Sequence, residues 1–273
     1  MHTTSPTATI TTGVRPAAER TRRHDLATVP AALRSEWIKL ATLRSTKVAV
    51  ALTAALGAVI AWALAATTSD PTLTASELFI YPLPLVAMLA AVTGILMFTS
   101  EAQHGTLAVM LTARPARWVI VTAKTTAAVL VGASLGTLGM VGGFAGAALG
   151  GAPLGDASDV ARRGLWALLY LALAAAIGLG VGMIVRHGAG AISGLLMWSF
   201  VVESLFSPAL PDGVLHALPF SAGYRLLDAG ANFEAPVVIT NELARAQYAL
   251  IFGGYAVVAL AIGTLLLYRR DTN

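Results

Sequence analysis

The sequence predicts an all-α, polytopic membrane protein with six transmembrane helices. Six apolar stretches, each about 18 residues or longer, recur along the chain between short polar segments; a helix rising ~1.5 Å per residue would carry each across the ~30 Å hydrocarbon core of a bilayer. Composition agrees, because 56% of the 273 residues are hydrophobic and 12% are charged, which is too little polar surface for a soluble globule. The stretches cover residues 48–66, 78–98, 125–149, 165–184, 189–206 and 249–267.

Two segments with different patterns precede the first apolar stretch. Residues 1–30 are rich in Thr, Ala and Pro and have no apolar periodicity, so we expect a disordered cytoplasmic tail. Residues 31–46 are predicted to form an amphipathic helix on the inner membrane surface, with a plain extension of the first span as the alternative. Its apolar positions recur every three or four residues: Leu33, Trp37, Leu40 and Leu43.

The distribution of Lys and Arg predicts the orientation. With six spans and both termini on one side, 14 of the 18 basic residues fall on that side, and such an excess marks the cytoplasmic face. The four on the outer side are Arg162, Arg163, Arg225 and Arg245. The basic tail has no interleaved aromatic residues or DNA-reading motif, so positive-inside charge explains it and no nucleic-acid partner is predicted.

Small residues and prolines predict how the spans pack and where they break. Pairs such as Gly178/Gly182 and Gly190/Gly194 have the Gly-x-x-x-Gly spacing of close helix contacts, which we expect mostly within the chain. Pro82 and Pro84 would delay the start of the second span to about Leu85. The outer segment, residues 207–246, is too apolar for a solvated loop and too rich in proline to span, so short re-entrant or interfacial helices are expected there.

The sequence shows none of the usual catalytic motifs. It has no phosphate-binding loop, no His-Glu-x-x-His and no nucleophile elbow, and its five histidines are scattered without the spacing of metal ligands. Cysteine is absent, which excludes disulfides and thiolate chemistry. These absences predict a chain that is not an enzyme and binds no metal or cofactor of its own.

Glu203 is the one charged residue within the predicted apolar stretches. A buried acid in a span is costly, and by default indicates function, so Glu203 is a candidate for the transport path or its outer gate. The alternative is that Glu203 lies near the outer headgroups and binds helix N-termini or Arg225 in the outer segment.

The loop between the second and third spans carries the most specific pattern. In residues 99–121 an acidic residue precedes Gly-Thr, a Leu-containing apolar patch and Pro-x-Arg, and a Lys follows at the next span. This loop and the connecting helix, residues 31–46, resemble the permease subunits of type-2 ABC exporters, and the resemblance covers about residues 31–270. The matching loop positions are Glu101, His104, Gly105, Thr106, Leu111, Pro115, Arg117 and Lys124, and those of the connecting helix are Glu36, Trp37, Lys39 and Leu40.

The resemblance implies a bacterial inner-membrane exporter, with the N- and C-termini of this chain in the cytoplasm. Two permease copies, or this chain and a close relative, would form the translocation path. Two copies of a separate ATP-binding subunit, which would hold ATP and Mg, would dock on the coupling loop. The apolar spans favour a hydrophobic or amphipathic cargo, and the lipid bilayer is the surrounding partner.

Other classes of membrane protein stay open at this point. A secondary transporter or channel not driven by ATP is the first alternative, although the two halves of the chain show no similarity and the spans contain few ionisable groups. A membrane-embedded enzyme or a structural membrane protein is the second.

Overall fold

The computed structural model describes residues 17–42, 44–68, 73–106, 117–227 and 243–270. Within these ranges the chain is helical and contains no strand. Six helices are long and apolar enough to cross a membrane, which confirms the predicted all-α, polytopic fold. The helices are α1 Ala17–Thr42, α2 Arg44–Thr67, α3 Ala75–Leu78, α4 Leu83–Gln103, α5 Arg117–Leu149, α6 Ala157–Val185, α7 Gly188–Met197, α8 Asp212–Ala217, α9 Pro219–Arg225 and α10 Arg245–Arg270.

The N-terminal boundary differs from the prediction. Helix α1 begins at Ala17, so residues 17–30 are helical and the predicted disordered tail is wrong for that part; residues 1–16 lie outside the described residues. The reason is intrinsic propensity, because Ala, Arg, Glu and Leu favour helix without any apolar periodicity. The connecting helix therefore extends over Ala17–Thr42 instead of residues 31–46.

The predicted coupling loop is also shorter than expected. Helix α4 continues to Gln103, and α5 begins at Arg117, eight residues before the apolar stretch that predicted it. Residues 117–124 carry one cation at each end, Arg117 and Lys124, with mainly apolar residues between them, and this pattern is compatible with a helix that leaves the apolar layer. Residues 107–116 lie outside the described residues.

Helices α4 and α6 form the centre of the bundle. They pack along each other, and α5 and α10 pack on α6, while α2 packs on α5. The main buried cluster contains Phe79, Leu83, Val86, Tyr170 and Phe252. Much of α2, α7 and α10 faces outward, as expected for helices that contact lipid or another chain.

Close approach of helix backbones explains most of the glycine pairs. A Cβ on Gly146 would collide with the carbonyl oxygen of Ala58 in α2, and a Cβ on Gly178 would collide with that of Ala91 in α4. These contacts confirm packing within the chain for those pairs. Gly194 differs, because nothing in the described structure lies within 4 Å of the place that its Cβ would take.

The fifth span is not a regular α-helix. It runs from α7 through a π-helical segment, Trp198–Glu203, into the short turn Ser204–Phe206. Two short helices, α8 and α9, follow, so the predicted short helices are present as far as Leu227, where this part of the description ends. The second span has the expected break, with α3 before Pro82 and α4 beginning at Leu83, two residues from the predicted start.

Candidate functional site

Four charged side chains meet where α1, α4 and α5 converge. Glu36 and Lys39 lie one turn apart on α1, Glu101 lies in the last turn of α4, and Lys124 lies two turns into α5. Because α4 and α5 are joined by the predicted coupling loop, this cluster includes residues from both sides of that loop. We call these four residues the ion-pair ring.

The contacts form a closed circuit. Glu36 binds Lys39 through Oε1 at 2.9 Å and Lys124 through Oε2 at 3.3 Å. Glu101 likewise lies 2.8 Å from Lys39 through Oε1 and 2.8 Å from Lys124 through Oε2. Each carboxylate thus bridges both ammonium groups, and the four formal charges cancel. Glu101 Oε2 has no well-aligned hydrogen bond in the described structure, so its contact with Lys124 is chiefly electrostatic.

Burial makes Lys124 the centre of the ring. Its side chain is 2% exposed, and Nζ also donates to the Met97 carbonyl oxygen at 3.2 Å. The ammonium group thus donates two hydrogen bonds, to Glu36 Oε2 and to the Met97 carbonyl oxygen, and pairs electrostatically with Glu101. A buried cation without such partners would cost several kcal/mol, so the two carboxylates are needed where Lys124 lies.

Lys39 is the exposed member of the ring, with a side chain that is 38% exposed. Burial by itself would lower the pKa of Lys39, but hydrogen bonds to Glu101 and Glu36 and the attraction of both carboxylates outweigh it. The pKa of Lys39 is consequently raised above its ordinary value.

The start of the loop is an exposed turn. His104 caps α4 with its backbone N–H and is solvent-accessible, as are Gly105 and Thr106. Gly105 has a φ of 71°, a left-handed conformation that glycine adopts readily and that ends the helix. The Thr106 hydroxyl donates to the Glu101 carbonyl oxygen at 3.2 Å. The predicted site residues Leu111 and Pro115 lie outside the described residues.

Arg117, at the other end of the loop, contacts the C-terminal end of α10. Its Nη1 donates to the carbonyl oxygens of Leu267 at 3.2 Å and Tyr268 at 3.0 Å, and its guanidinium lies 5.5 Å from the centre of the Tyr268 ring. Arg117 thus satisfies carbonyls that a helix end leaves without intrahelical partners. Nothing in the sequence predicts that Arg117 contacts the end of α10, because 150 residues separate Arg117 from Leu267.

The face of α1 that packs on the bundle differs from the predicted apolar stripe. Ala32, Glu36 and Leu40 are buried there, and Leu40 packs with Met97 and Leu267. Trp37 is 58% exposed and points away from the bundle, where its side chain can contact the surface of a bilayer. Among the predicted connecting-helix residues, Glu36, Lys39 and Leu40 therefore face the core and Trp37 does not.

Glu203 lies at the other end of the bundle, far from the ring. It is buried and accepts hydrogen bonds from Trp198 Nε1 at 2.9 Å, Phe220 N at 3.1 Å and Ser221 N at 2.8 Å. The last two donors belong to the first turn of α9. This is the helix N-terminal contact that the sequence offered as the alternative for Glu203, and a role in a transport path stays a prediction.

The four side chains of the ring pair with one another and so hold α1, α4 and α5 together. Among the described residues no group of three or more His, Asp or Glu side chains has an arrangement suited to a metal ion. In the sequence, the loop pattern is the one feature that includes Lys124. Its partnership with Glu36 could have been inferred from one signal, a lysine close to an apolar stretch that requires acidic partners.

Comparison with known proteins does not identify the chain. No protein-family model matches the sequence, and no curated protein matches it either.

Proposed function

We propose that this chain is the membrane-spanning permease subunit of an ATP-driven exporter, and that separate ATP-binding subunits dock on the turn and loop between α4 and α5. The observation that carries the proposal is the ion-pair ring. It ties the connecting helix to the helices on both sides of the loop, so a push on the loop would move α1, α4 and α5 together.

The contacts of the loop divide into two groups that support this assignment. Glu101 and Arg117 make contacts within the chain, to the ring and to the end of α10. His104, Gly105 and Thr106 lie exposed between them. The exposed turn is thus available to a partner, and the flanking charges are placed to pass its movement to the spans. Rocking of packed helices around such a rigid connection is a known mode of switching.

The outward faces support a second membrane subunit as part of the proposal. Only 17% of the apolar window of the fifth span is buried within the chain, and a Cβ on Gly194 in that span would meet nothing within 4 Å in the described structure. A second copy, or a close relative, would cover this face, and the translocation path would lie between the two subunits. The chain would then work in a bacterial inner membrane with its ring end in the cytoplasm, on a hydrophobic or amphipathic cargo.

The test uses two variants, one that should prevent the ATP-binding subunit from docking and one that should prevent its movement from reaching the spans. Thr106→Arg changes the exposed turn, and we expect it to abolish co-purification of a co-expressed candidate ATP-binding subunit while the permease stays folded. Lys39→Met opens the ring from its exposed side, and we expect it to retain the ATPase but uncouple hydrolysis from transport in reconstituted vesicles. Lys47→Met, an exposed lysine at the same end, is the matched control.

Two results would overturn the proposal. The first is transport driven by an ion gradient with this chain alone, which would favour a secondary transporter. The second is wild-type docking and coupling in both Thr106→Arg and Lys39→Met.

A further inference from the structure

The buried residues of the fifth span do not follow the period of one regular helix. In α7, Ala191 and Leu195 are buried one turn apart, and further along the span Glu203 and Ser207 are buried four residues apart. A regular α-helix turns by about 100° per residue, so Glu203 would lie about 80° around its axis from Leu195, and Ser207 about 120°. Both side chains would then have turned away from the side on which Leu195 packs.

Leu195 and Glu203 nevertheless face the same neighbour. Leu195 belongs to a buried cluster of α4 and α7 side chains, and the Phe220 side chain in α9 packs against that cluster. The backbone N–H of Phe220 donates to Glu203 Oε1 at 3.1 Å, and that of Ser221 donates to Oε2 at 2.8 Å. The fifth span therefore keeps one side toward α4 and α9 all the way from α7 to Glu203.

The π-helical segment of the span explains how it does so. An i→i+5 turn encloses one residue more than an α-helical turn, so a residue beyond it takes the place that its predecessor would have in a regular helix. Glu203 thus takes the place of Val202, and Ser207 takes that of Phe206. One contact across the segment agrees: Trp198 Nε1 donates to Glu203 Oε1 at 2.9 Å. On a regular α-helix these two side chains would lie about 140° apart.

A regular helix would present a different packed side. Val202 and Phe206 would each lie within about 20° of Leu195 around the axis. Both are apolar, and Phe206 is 55% exposed in the present arrangement. The fifth span thus has two registers: the π register, in which Glu203 and Ser207 face inward, and an α register, in which Val202 and Phe206 would face inward. In the α register the surplus residue would pass into the connection to α8.

We propose that the contact between Glu203 and α9 is a switch that selects the register of the fifth span. Three hydrogen bonds hold the buried carboxylate while α9 is in place, and the π register persists. If α9 moves away, two of these donors are lost, and a buried carboxylate with so few partners is costly. The span beyond α7 then turns by about 100° to bury Val202 and Phe206. The switch is independent of whether the chain works with an ATPase.

The experiment follows a nitroxide label by electron paramagnetic resonance, in the purified full chain in lipid nanodiscs. The chain has no cysteine of its own, so each label has one site. Ser207→Cys carries the reporter, because Ser207 is buried in the π register and turns away from the packed side in the α register. Leu205→Cys is the matched control, because Leu205 is 68% exposed and lies off the packed side in both registers. We expect Glu203→Ala to convert the Ser207 label from mainly immobile to mainly mobile, and the Leu205 label to be mobile throughout.

Deletion of Phe200 separates a change of register from simple release of α9. Phe200 is an exposed residue of the π-helical segment, and deleting it removes the surplus residue. Combined with Glu203→Ala, the deletion should make the Ser207 label immobile again, because a regular helix then carries that position on the packed side. A label that stays mobile after the deletion would indicate simple release of α9 and overturn the proposal. An immobile label in Glu203→Ala without the deletion would overturn it as well.

Thermal stability of two deletion variants provides a second test. Deleting Phe200 alone should leave the melting temperature close to that of the wild type, because the residue is surplus to a regular helix. Deleting Ser193, an exposed residue of α7, should lower the melting temperature, because it turns Leu195 out of its cluster. Equal losses in the two variants would overturn the proposal, and so would a chain that cannot fold without Phe200.

Discussion

At the scale of single residues, Lys124 determines whether the ion-pair ring can form. It is the buried cation between two carboxylates, so replacing it with Met leaves Glu36 and Glu101 with Lys39 as their one remaining partner in the ring and with one negative charge uncompensated. Breaking a buried pair from one side typically costs about 3–5 kcal/mol, and we expect Lys124→Met to lower the free energy of unfolding by about that much.

Lys47→Met is the matched control for Lys124→Met, because Lys47 is exposed at the same end of the bundle, and it should stay within about 0.5 kcal/mol of the wild type. Denaturant unfolding in detergent measures both variants. Adding Glu101→Gln to Lys124→Met should recover part of the loss, since it removes a carboxylate charge that has lost one of its two partners. Strictly additive effects of the two substitutions would contradict the ring.

The ring should weaken at high pH, because Lys39 then loses its proton. Its pKa is raised in the folded protein, so its contribution is fully present below the ordinary value of 10.5 and is lost as the pH rises through the folded value. We expect proteolytic cleavage of α1 to increase above about pH 10.5 in the wild type. Lys39→Met should be cleaved faster than the wild type already near neutral pH, and its cleavage rate should not rise further at alkaline pH. If the cleavage of both proteins increases equally at alkaline pH, Lys39 is not the cause of the increase.

Glu203 fastens α9 to the fifth span, and its charge should matter for that contact. Glu203→Gln keeps the shape but turns one acceptor oxygen into a donor NH₂, so one of the three donors loses its partner. The cost should be about 1–3 kcal/mol, seen as faster hydrogen exchange over α8 and α9 with membrane insertion intact.

Trp198→Phe removes one of the donors to Glu203 and leaves the carboxylate in place. It should have the smaller effect on exchange over α8 and α9. Unchanged exchange in Glu203→Gln would refute the structural role of Glu203 and leave the transport path as its remaining assignment.

At the scale of elements, the packing of α2 on α5 depends on the absence of a side chain at Gly146. A Cβ there would meet the Ala58 carbonyl oxygen, whereas a Cβ on Gly254 in α10 would meet nothing within 4 Å in the described structure. Ala favours helix over Gly by about 1 kcal/mol, so Gly254→Ala should be neutral or stabilising. Gly146→Ala should instead destabilise by about 1–3 kcal/mol, because the helices must separate. Thermal unfolding of Gly146→Ala and Gly254→Ala tests this prediction. Equal changes in melting temperature in the two variants would contradict the close contact at Gly146.

The elements also show which features a single sequence can predict. All six spans follow from long apolar runs, because burial in lipid needs no information about neighbours. Helix ends were less predictable: α5 includes residues from Arg117, before the predicted apolar stretch, and Arg117 contacts carbonyl groups at the end of α10. The spacing of the glycines predicts close helix contacts, but it does not predict that Gly146 lies against Ala58, because that depends on how α2 crosses α5. For the same reason, only the three-dimensional fold brings Glu36, Glu101 and Lys124 together.

At the scale of the whole molecule, the distribution of buried and outward faces suggests where a second subunit binds. Most of the apolar window of the second and fourth spans is buried within the chain, but only 22%, 17% and 22% of the windows of the first, fifth and sixth spans is buried. Lipid can cover any of these faces. The resemblance to the permease subunits of type-2 ABC exporters would imply that two subunits meet along the first and fifth spans. Gly194, where a Cβ would meet nothing within 4 Å in the described structure, lies on the fifth.

The absence of cysteine makes this inference directly testable, because a single introduced thiol has no competitor in the chain. Gly194→Cys places a thiol on the outward face of the fifth span, and Val257→Cys places one on the outward face of α10, where Val257 is 67% exposed. If two copies pair through the fifth span, mild oxidation in native membranes should convert Gly194→Cys into a covalent dimer. Val257→Cys should stay monomeric, because α10 faces lipid in that arrangement. A dimer from Val257→Cys alone would move the interface to α10, and monomer from both variants would remove the fifth span from the contact between identical copies.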